Sequence, residues 1–378
     1  MPAERVRFAA VAPGPPFDPG TWSGTSSHLL GALKRAGALA GAVDGGSRTL
    51  DRLEQLASFS PDRARWRQRY HSRSSPLSGT VRALRSRLAG RRLTFQDEAD
   101  AVLQIGAWYD IAASGGLRCS YNDGNLGVSL AREGLAIDPR SRGVRRALEA
   151  ERRLYDGLDL IMPMSDWLRR SFLDDFGQDP AKVVTVGAGA NLPATPGAPR
   201  RDFERPVYLF VGLQWERKGG PQLLQAFRDV HAQLPEAELV VVGPERPPEP
   251  VPGVRFLGRI SRGSPAGERR LDEVYRRATA FVMPSLYEPF GIVFLEAMAY
   301  RLPCIGSARC AMPEIISDGE TGFVVPPTDV EVLAERMLAL ADPGRARALG
   351  EAGHRRYLER FTWDGVARRM IDAAGARL

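Results

Sequence analysis

Short apolar runs alternate with amphipathic segments along most of the chain. That rhythm predicts βαβ units and parallel sheets. Phe8 to Val11 reads as a first strand, followed by a Gly/Pro-rich loop from Ala12 to Gly24. A helix is predicted from Thr25 to Ala36, with Leu29, Leu30 and Leu33 on one face. Two Arg-rich helical segments follow, over 49–71 and 77–90. Further strands are expected at 101–105, 117–121, 158–162 and 183–186, and helices at 140–156 and 166–176.

The rhythm then breaks. Asn191 to Pro206 (NLPATPGAPRRDFERP) is rich in Pro, Ala and Arg and has no periodicity, as an inter-domain linker would. After it the pattern restarts with VYLFVG (207–212), a helix at 220–233, ELVVVG (238–243), VRFLG (254–258) and AFVMP (280–284). The expectation is an N-terminal domain over 1–195 and a C-terminal one over 196–361. The last amphipathic segment, 362–378, is expected to pack back on the first domain. Two such halves would leave a cleft facing the carboxyl ends of their strands, where open α/β sheets bind ligands.

Length agrees with this division, since 378 residues exceed one ordinary core. No apolar run is long enough to span a bilayer, and the apolar stretch Phe8–Ala12 is too short for a secretory signal. The expected location is the cytoplasm. The three cysteines, Cys119, Cys304 and Cys310, form no pair with metal-ligand or disulfide spacing and read as small apolar residues. The formal charge is +7, but it is concentrated. Residues 48–92 hold 12 Arg against Asp51, Glu54 and Asp62, a net 12 − 3 = +9, so the remainder is 7 − 9 = −2. Such an arm suits an anionic membrane surface, a phosphorylated acceptor or nucleic acid. A solvated helical hairpin in an Arg-rich chain explains it as well. Phe59, Trp66 and Tyr70 are the aromatics in the arm, and no nucleic-acid motif accompanies them, so no nucleic-acid partner is expected.

The most informative stretch is SLYEPFGIVFLEAMA, Ser285 to Ala299. A strand ends before it and a helix begins near Gly291, so free helix-terminal amides make an anion site. Glu288 and Glu296 flank that site. A carboxylate accepts two hydroxyl hydrogen bonds, and a sugar and a ribose both offer vicinal hydroxyls. One phosphate site between two hydroxyl acceptors matches a nucleotide-diphosphate sugar. A second signal is VGLQWERKGG, Val211 to Gly220. Lys218, one of three lysines in the chain, suits a diphosphate as a point charge, and Arg217 beside it can fork onto the same oxygens.

EPFGIVFLEAMA together with FVGLQWERKGG resembles family four of the retaining glycosyltransferases, which have the two-Rossmann GT-B fold. MSDWLRRSFLDDFGQDPAKVVTVGAGANL (164–192) and DGETGFVVPPTD (318–329) extend the resemblance, whereas TWSGTSSHLL (21–30) matches a subset of the family. The resemblance implies that Glu288 contacts the donor sugar and Glu296 the donor ribose. It places the amides of Phe290, Gly291 and Ile292 over the sugar and distal phosphate. Lys218 becomes the phosphate lysine beside Gly212, and the backbone of Leu257 and Gly258 the place of the base. It further implies transfer with retention of the anomeric configuration, without metal or other cofactor. The donor is a UDP- or GDP-sugar and the acceptor a glycan or lipid-linked hydroxyl, as in bacterial polysaccharide or glycolipid synthesis. A nucleotide-sugar epimerase is the alternative on the same design, and a non-catalytic binding module with a basic arm is a further one.

Two positions depart from the family pattern. Leu213 stands where an arginine usually follows the glycine, so Arg217 is expected to supply that contact. The family's first-domain histidine has no counterpart; CSYNDGN (119–125) puts Asp123, or Asn122, in its place. An Asn-Asp-Gly turn with no function is the other explanation. Gly24, in the loop TWSGT, either brings the backbone close to the sugar or acceptor or serves a plain turn.

Overall fold

The computed structural model describes residues 6–111, 115–131, 137–192, 196–197, 199–245 and 251–378. They form two compact units, one of 1–187 with 363–378 and one of 188–362.

In the first unit, five parallel strands run β1 (Phe8–Ala12), β2 (Leu39–Asp44), β3 (Ala101–Ile105), β4 (Leu117–Asn122) and β5 (Leu160–Pro163). Their order across the sheet is β2-β1-β3-β4-β5. The order reverses direction between β1 and β3, which makes that the sheet's topological switch point. β1 and β3 are buried along their whole length, as strands covered on both faces must be. The helix Trp363–Gly375 belongs to this unit. Asp364 accepts from Arg35 Nη2 at 2.6 Å, and Arg369 Nε donates to Val186 O at 2.8 Å.

Three details differ from the sequence expectations in this unit. The helix expected over 49–71 is two, Arg48–Ala57 and Arg63–His71. Pro61 lies in the break, and the Asp62 carboxylate accepts from the amides of Ala64 and Arg65, which starts the second helix. The segment 183–186 is no strand. It lies beside β5 with one isolated bridge, Ile161 to Val183, and two backbone bonds, from Val184 N to Ile161 O at 2.9 Å and from Val186 N to Pro163 O at 3.0 Å. Arg169 and Arg369 take the carbonyls of Val183 and Val186, so side chains satisfy the groups that a further strand would have used. β2, LAGAVD, was not expected because its small residues carry little apolar signal; it pairs in parallel with β1 and is half-buried throughout.

The second unit has six parallel strands: β6 (Val207–Val211), β7 (Glu238–Val242), β8 (Val254–Gly258), β9 (Ala280–Met283), β10 (Cys304–Ser307) and β11 (Gly322–Val325). Read across, they run β8-β7-β6-β9-β10-β11. This is the doubly wound order of a dinucleotide-binding sheet, with its switch point between β6 and β9. Part of the expected linker, 193–195 and 198, lies outside the described residues. What is described of it is tied to the second unit: Arg200 N donates to Arg276 O at 2.8 Å, Arg201 to Tyr300 O, and Phe203 lies 4.6 Å beneath the Arg347 guanidinium.

Candidate active site

Two loops leave the carboxyl edge of the second sheet at its switch point. The loop after β6 carries Gly212, Leu213, Arg217 and Lys218 and runs into the helix Gly220–Gln233. The loop after β9 carries Glu288, Phe290 and Gly291 and runs into the helix Ile292–Ala299. They are laced together by Leu286 N donating to Arg217 O at 2.9 Å.

Lys218 and Arg217 converge on one carboxylate oxygen. Lys218 Nζ lies 2.9 Å from Glu288 Oε2, and Arg217 Nη1 lies 3.2 Å from the same atom. All three side chains are mostly buried, at 13%, 17% and 15% exposure for Lys218, Arg217 and Glu288. Arg217 also donates to Gln214 Oε1 at 2.5 Å and to Tyr287 O. Burial pushes the Glu288 carboxyl up, but Lys218 and Arg217 outweigh it and hold the group below its usual value, so it stays ionised at neutral pH. Leu213, by contrast, is 58% exposed and offers no polar group. The one arginine in this loop therefore sits at its far end.

Gly212 is required for this geometry. A Cβ there would lie 2.3 Å from Lys218 Cδ, so the lysine stem crosses directly over the glycine. Gly291 has φ 91°, in the left-handed region, and caps the start of its helix. At the start of that helix Phe294 N donates to Gly291 O at 3.0 Å, whereas the amides of Ile292 and Val293 have no intrahelical acceptor. They open beside Glu288, whose Cγ is 3.4 Å from the position of a Gly291 Cβ. Phe290 is buried and anchors the turn.

Glu296, one turn inside the same helix, is 2% exposed, so it is not a solvated surface carboxylate. Its Oε2 accepts from Arg262 Nη2 at 2.5 Å and from the Tyr275 hydroxyl at 3.0 Å. Arg262 also donates to Asn191 O at 2.9 Å. Glu296 pushes the Arg262 guanidinium further up, against the effect of burial. Tyr275 in turn stacks on Tyr300 at 4.9 Å, and the Tyr300 hydroxyl donates to Asp272 at 2.9 Å. Arg262 was missed from sequence. In a chain with 52 basic residues, almost all Arg, one arginine in an SRG turn carries no signal of its own.

Leu257 and Gly258 end β8, two strands away from β6. Gly258 has φ 64°, and its carbonyl accepts from Gly243 N at 2.9 Å. The Leu257 side chain lines a pocket with Val240, Glu273 and Val274, beside the helix Pro265–Arg277.

Asp123 and Gly24 belong to the first unit. Asp123 is half-buried in the bend after β4. Asn122 beside it is fully buried and donates to Ser120 Oγ at 2.8 Å, while Asn125 caps the next helix through Val128 N at 3.0 Å. Asn122 and Asn125 are thus engaged in local structure. Gly24 has φ 87° and follows Trp22 and Ser23, both also left-handed at 49° and 57°. Three such residues in a row make a strained turn. The Trp22 ring stands edge-on to Tyr121 at 5.9 Å, which joins this loop to the end of β4.

Among the described residues no three His, Cys, Asp or Glu side chains group as a metal site. No helix among them is long and apolar enough to cross a membrane.

Residues 205–342, which hold both loops, match the family described as Glycosyl transferases group 1. This part of the chain is thus similar to glycosyl transferases group 1 domains. The chain is 32% identical over 251 residues to the alpha-maltose-1-phosphate synthase of Mycolicibacterium smegmatis, an alignment covering 59% of this chain and 64% of that one. It is 29% identical over 253 residues to the GDP-mannose-dependent alpha-(1-6)-phosphatidylinositol monomannoside mannosyltransferase of the same organism, covering 61% and 66%. The chain thus spans about two thirds of the length of these two relatives. Its fold matches the sucrose-phosphate synthase of Thermosynechococcus elongatus with a TM-score of 0.67 at 21% identity, covering 97% of each chain. It also matches WaaG, a glycosyltransferase involved in lipopolysaccharide biosynthesis, with a TM-score of 0.64 at 17% identity, over 97% and 98%. The fold is therefore GT-B, and the matched stretch 205–342 lies in its second unit.

Proposed function

We propose that this chain transfers a sugar from a nucleoside-diphosphate sugar to a hydroxyl of a glycan or lipid-linked acceptor, with retention at the anomeric carbon and without a metal ion. One observation carries the reading: two cations converge on a single ionised carboxylate beside the N-terminus of the helix Ile292–Ala299, at the switch point of the second sheet. The donor names of relatives such as the GDP-mannose-dependent enzyme agree with it.

In this mechanism Glu288 accepts hydrogen bonds from sugar hydroxyls and Glu296 Oε1 from the ribose. Lys218 and Arg217 turn toward the diphosphate while keeping Glu288 within reach. The bond from the anomeric carbon to the diphosphate oxygen breaks through an oxocarbenium-like transition state. The acceptor oxygen bonds to that carbon from the same face, and its proton passes to the departing diphosphate. The charge that develops on the leaving group is what Lys218, Arg217 and the amides after Gly291 stabilise. With Leu213 in the usual arginine's place, Arg217 supplies the second cation. Asp123 orients a sugar hydroxyl where the family carries histidine, and the turn at Gly24 brings backbone toward the sugar or acceptor.

A thermal-shift screen with UDP, GDP, ADP, CMP and NAD tests the donor site. At about 100 times its dissociation constant, a ligand stabilises by roughly 2.7 kcal/mol. Uridine is the first expectation and guanosine the second. Stabilisation by one nucleoside diphosphate, lost in Glu296→Ala, is the expected result; no response to any of them overturns it. Product anomers read by NMR test retention, and unchanged turnover in EDTA tests metal independence. A rearranged donor sugar formed without acceptor would make the protein an epimerase instead.

The basic arm supports work at the cytoplasmic face of an anionic membrane as part of this proposal. Leu53, Leu56, Phe59, Leu77, Leu84 and Leu88 are all exposed in it, Leu56 by 72%. Leu84 and Leu88 share one face of the helix Ser78–Arg92, with Leu77 at its N-cap seven residues before Leu84 and Arg87 and Arg91 beside them. Leu84→Glu with Leu88→Glu is expected to abolish co-sedimentation with phosphatidylglycerol vesicles; equal binding by the variant would remove the membrane from the proposal.

A further inference from the structure

The donor machinery leaves unused a guanidinium in the first unit. Arg73 lies over Trp108, with its central carbon 3.5 Å from the indole centroid. Its Nη1 is buried and has no hydrogen-bond partner among the described residues. Arg73 itself has φ 51°, a left-handed conformation that a branched or long side chain rarely adopts. Strain and an unpaired buried donor at the same residue are both unfavourable for folding alone.

The surroundings concentrate positive charge. Burial, and then the like charges of Arg85 and Arg82, push the Arg73 guanidinium down to about 9. Arg85 is 5% exposed and donates to Asp51 Oδ1 at 2.7 Å, and Arg82 donates to Ala150 O at 2.8 Å. Glu54, the acid that acts on Arg73, is occupied by the hydroxyls of Ser75 and Ser78. An added anion would relieve this imbalance. A guanidinium stacked on a ring keeps its N–H donors in its own plane, pointing past the ring edge, where they match the paired oxygens of a phosphate.

The place is also where a ligand belongs. Trp108 and Tyr109 follow β3, and the Tyr109 hydroxyl donates at 3.1 Å to the carbonyl of Ala12, the last residue of β1. The cluster therefore spans the carboxyl ends of β1 and β3, the switch point of the first sheet. Trp108 itself is 40% exposed.

We propose that Arg73, braced by Trp108 and backed by Arg85, is a subsite for a phosphoryl group carried by the acceptor. The word acceptor rests on the glycosyl-transfer reading; the phosphoryl site does not, because it lies wholly within the first unit. The phosphoryl group has two sources, a soluble phosphate monoester or the headgroup of an anionic lipid.

The test is isothermal titration of the full chain with inorganic phosphate and sn-glycerol 3-phosphate, and co-sedimentation with phosphatidylglycerol vesicles. It compares wild type with Arg73→Gln, Arg73→Lys and Lys218→Gln. Phosphate affinity is expected to fall roughly ten- to a hundredfold in Arg73→Gln, the share of a charge-assisted contact, less in Arg73→Lys, and not in Lys218→Gln. A loss of vesicle binding in Arg73→Gln with no response to the soluble phosphates also supports the subsite and names the lipid as its source. Loss in Lys218→Gln alone assigns phosphate to the donor loop and overturns the inference. So does a melting temperature that drops in Arg73→Gln while phosphate and vesicle binding stay unchanged, since that is the signature of a structural arginine. If UDP and GDP fail to bind but the Arg73 response persists, the donor reading falls and the phosphoryl subsite stands.

Discussion

Replacing Gly212 with alanine should disable Lys218 without touching it. Gly212 has ordinary backbone dihedrals, being absent from the left-handed set, so alanine fits the main chain. Its Cβ, however, would stand 2.3 Å from Lys218 Cδ and 2.9 Å from Cε. The lysine stem must retreat by roughly 1.2 Å or more to regain ordinary carbon contact of about 3.5 Å. Its Nζ now lies 2.9 Å from Glu288 Oε2, so a retreat of that size takes the ammonium out of hydrogen-bond range. The contact it is proposed to make with the diphosphate is lost together with it. The expected loss of nucleoside-diphosphate affinity is about 1.5–3 kcal/mol, the range for a hydrogen bond to a charged group. That is roughly ten- to a hundredfold in dissociation constant. The assay is calorimetric titration of whichever nucleotide stabilises the wild type, on Gly212→Ala, Lys218→Met and the double variant. Because both changes remove one interaction, the double variant should bind no worse than Lys218→Met alone. Wild-type affinity in Gly212→Ala, or additive losses in the double variant, would refute the reasoning.

The buried pair behind the donor site should be more sensitive than the exposed ones. Arg262→Ala leaves Glu296 buried with Tyr275 as its remaining side-chain partner among the described residues; the cost is expected at about 3 kcal/mol, the low end for a broken buried pair because Arg262 is 29% exposed. Tyr275→Phe should cost about 1 kcal/mol by removing one hydrogen bond, and chemical denaturation that ranks the two the other way would contradict the assignment. Glu288 supplies a pH signature. Its folded-state value lies below the ordinary 4.5, so its contribution to stability is fully present above that pH and is lost as pH falls through the lowered value. Melting temperatures of wild type and Glu288→Gln should therefore converge on acidification below about pH 4.5; parallel curves down to pH 3 would show that the ion pair adds nothing.

The sequence alone determined the layers and the position of the chemistry. Apolar runs such as VYLFVG and ELVVVG are long enough, and buried on both faces, so periodicity announced β6 and β7 without context. EPFG announced the turn before the helix Ile292–Ala299 because Pro289 and a left-handed Gly291 are local requirements of that turn. Elements that depend on neighbours were harder to read. β2 is a strand because β1 offers it an edge, whereas 183–186 donates two backbone bonds to β5 but gains no full ladder, because Pro163 has no N–H to return. What only the tertiary structure decided were the partnerships. Glu288 and Lys218 are 70 positions apart in the chain and meet because β6 and β9 are neighbours at a switch point. Glu296 meets Arg262 across 34 positions, and Arg73 meets Trp108 across 35. In a chain where nearly every cation is an arginine, composition cannot say which arginines matter. That depends on which guanidinium is buried, and against what, and such contacts between distant segments exist only once the sheets have formed.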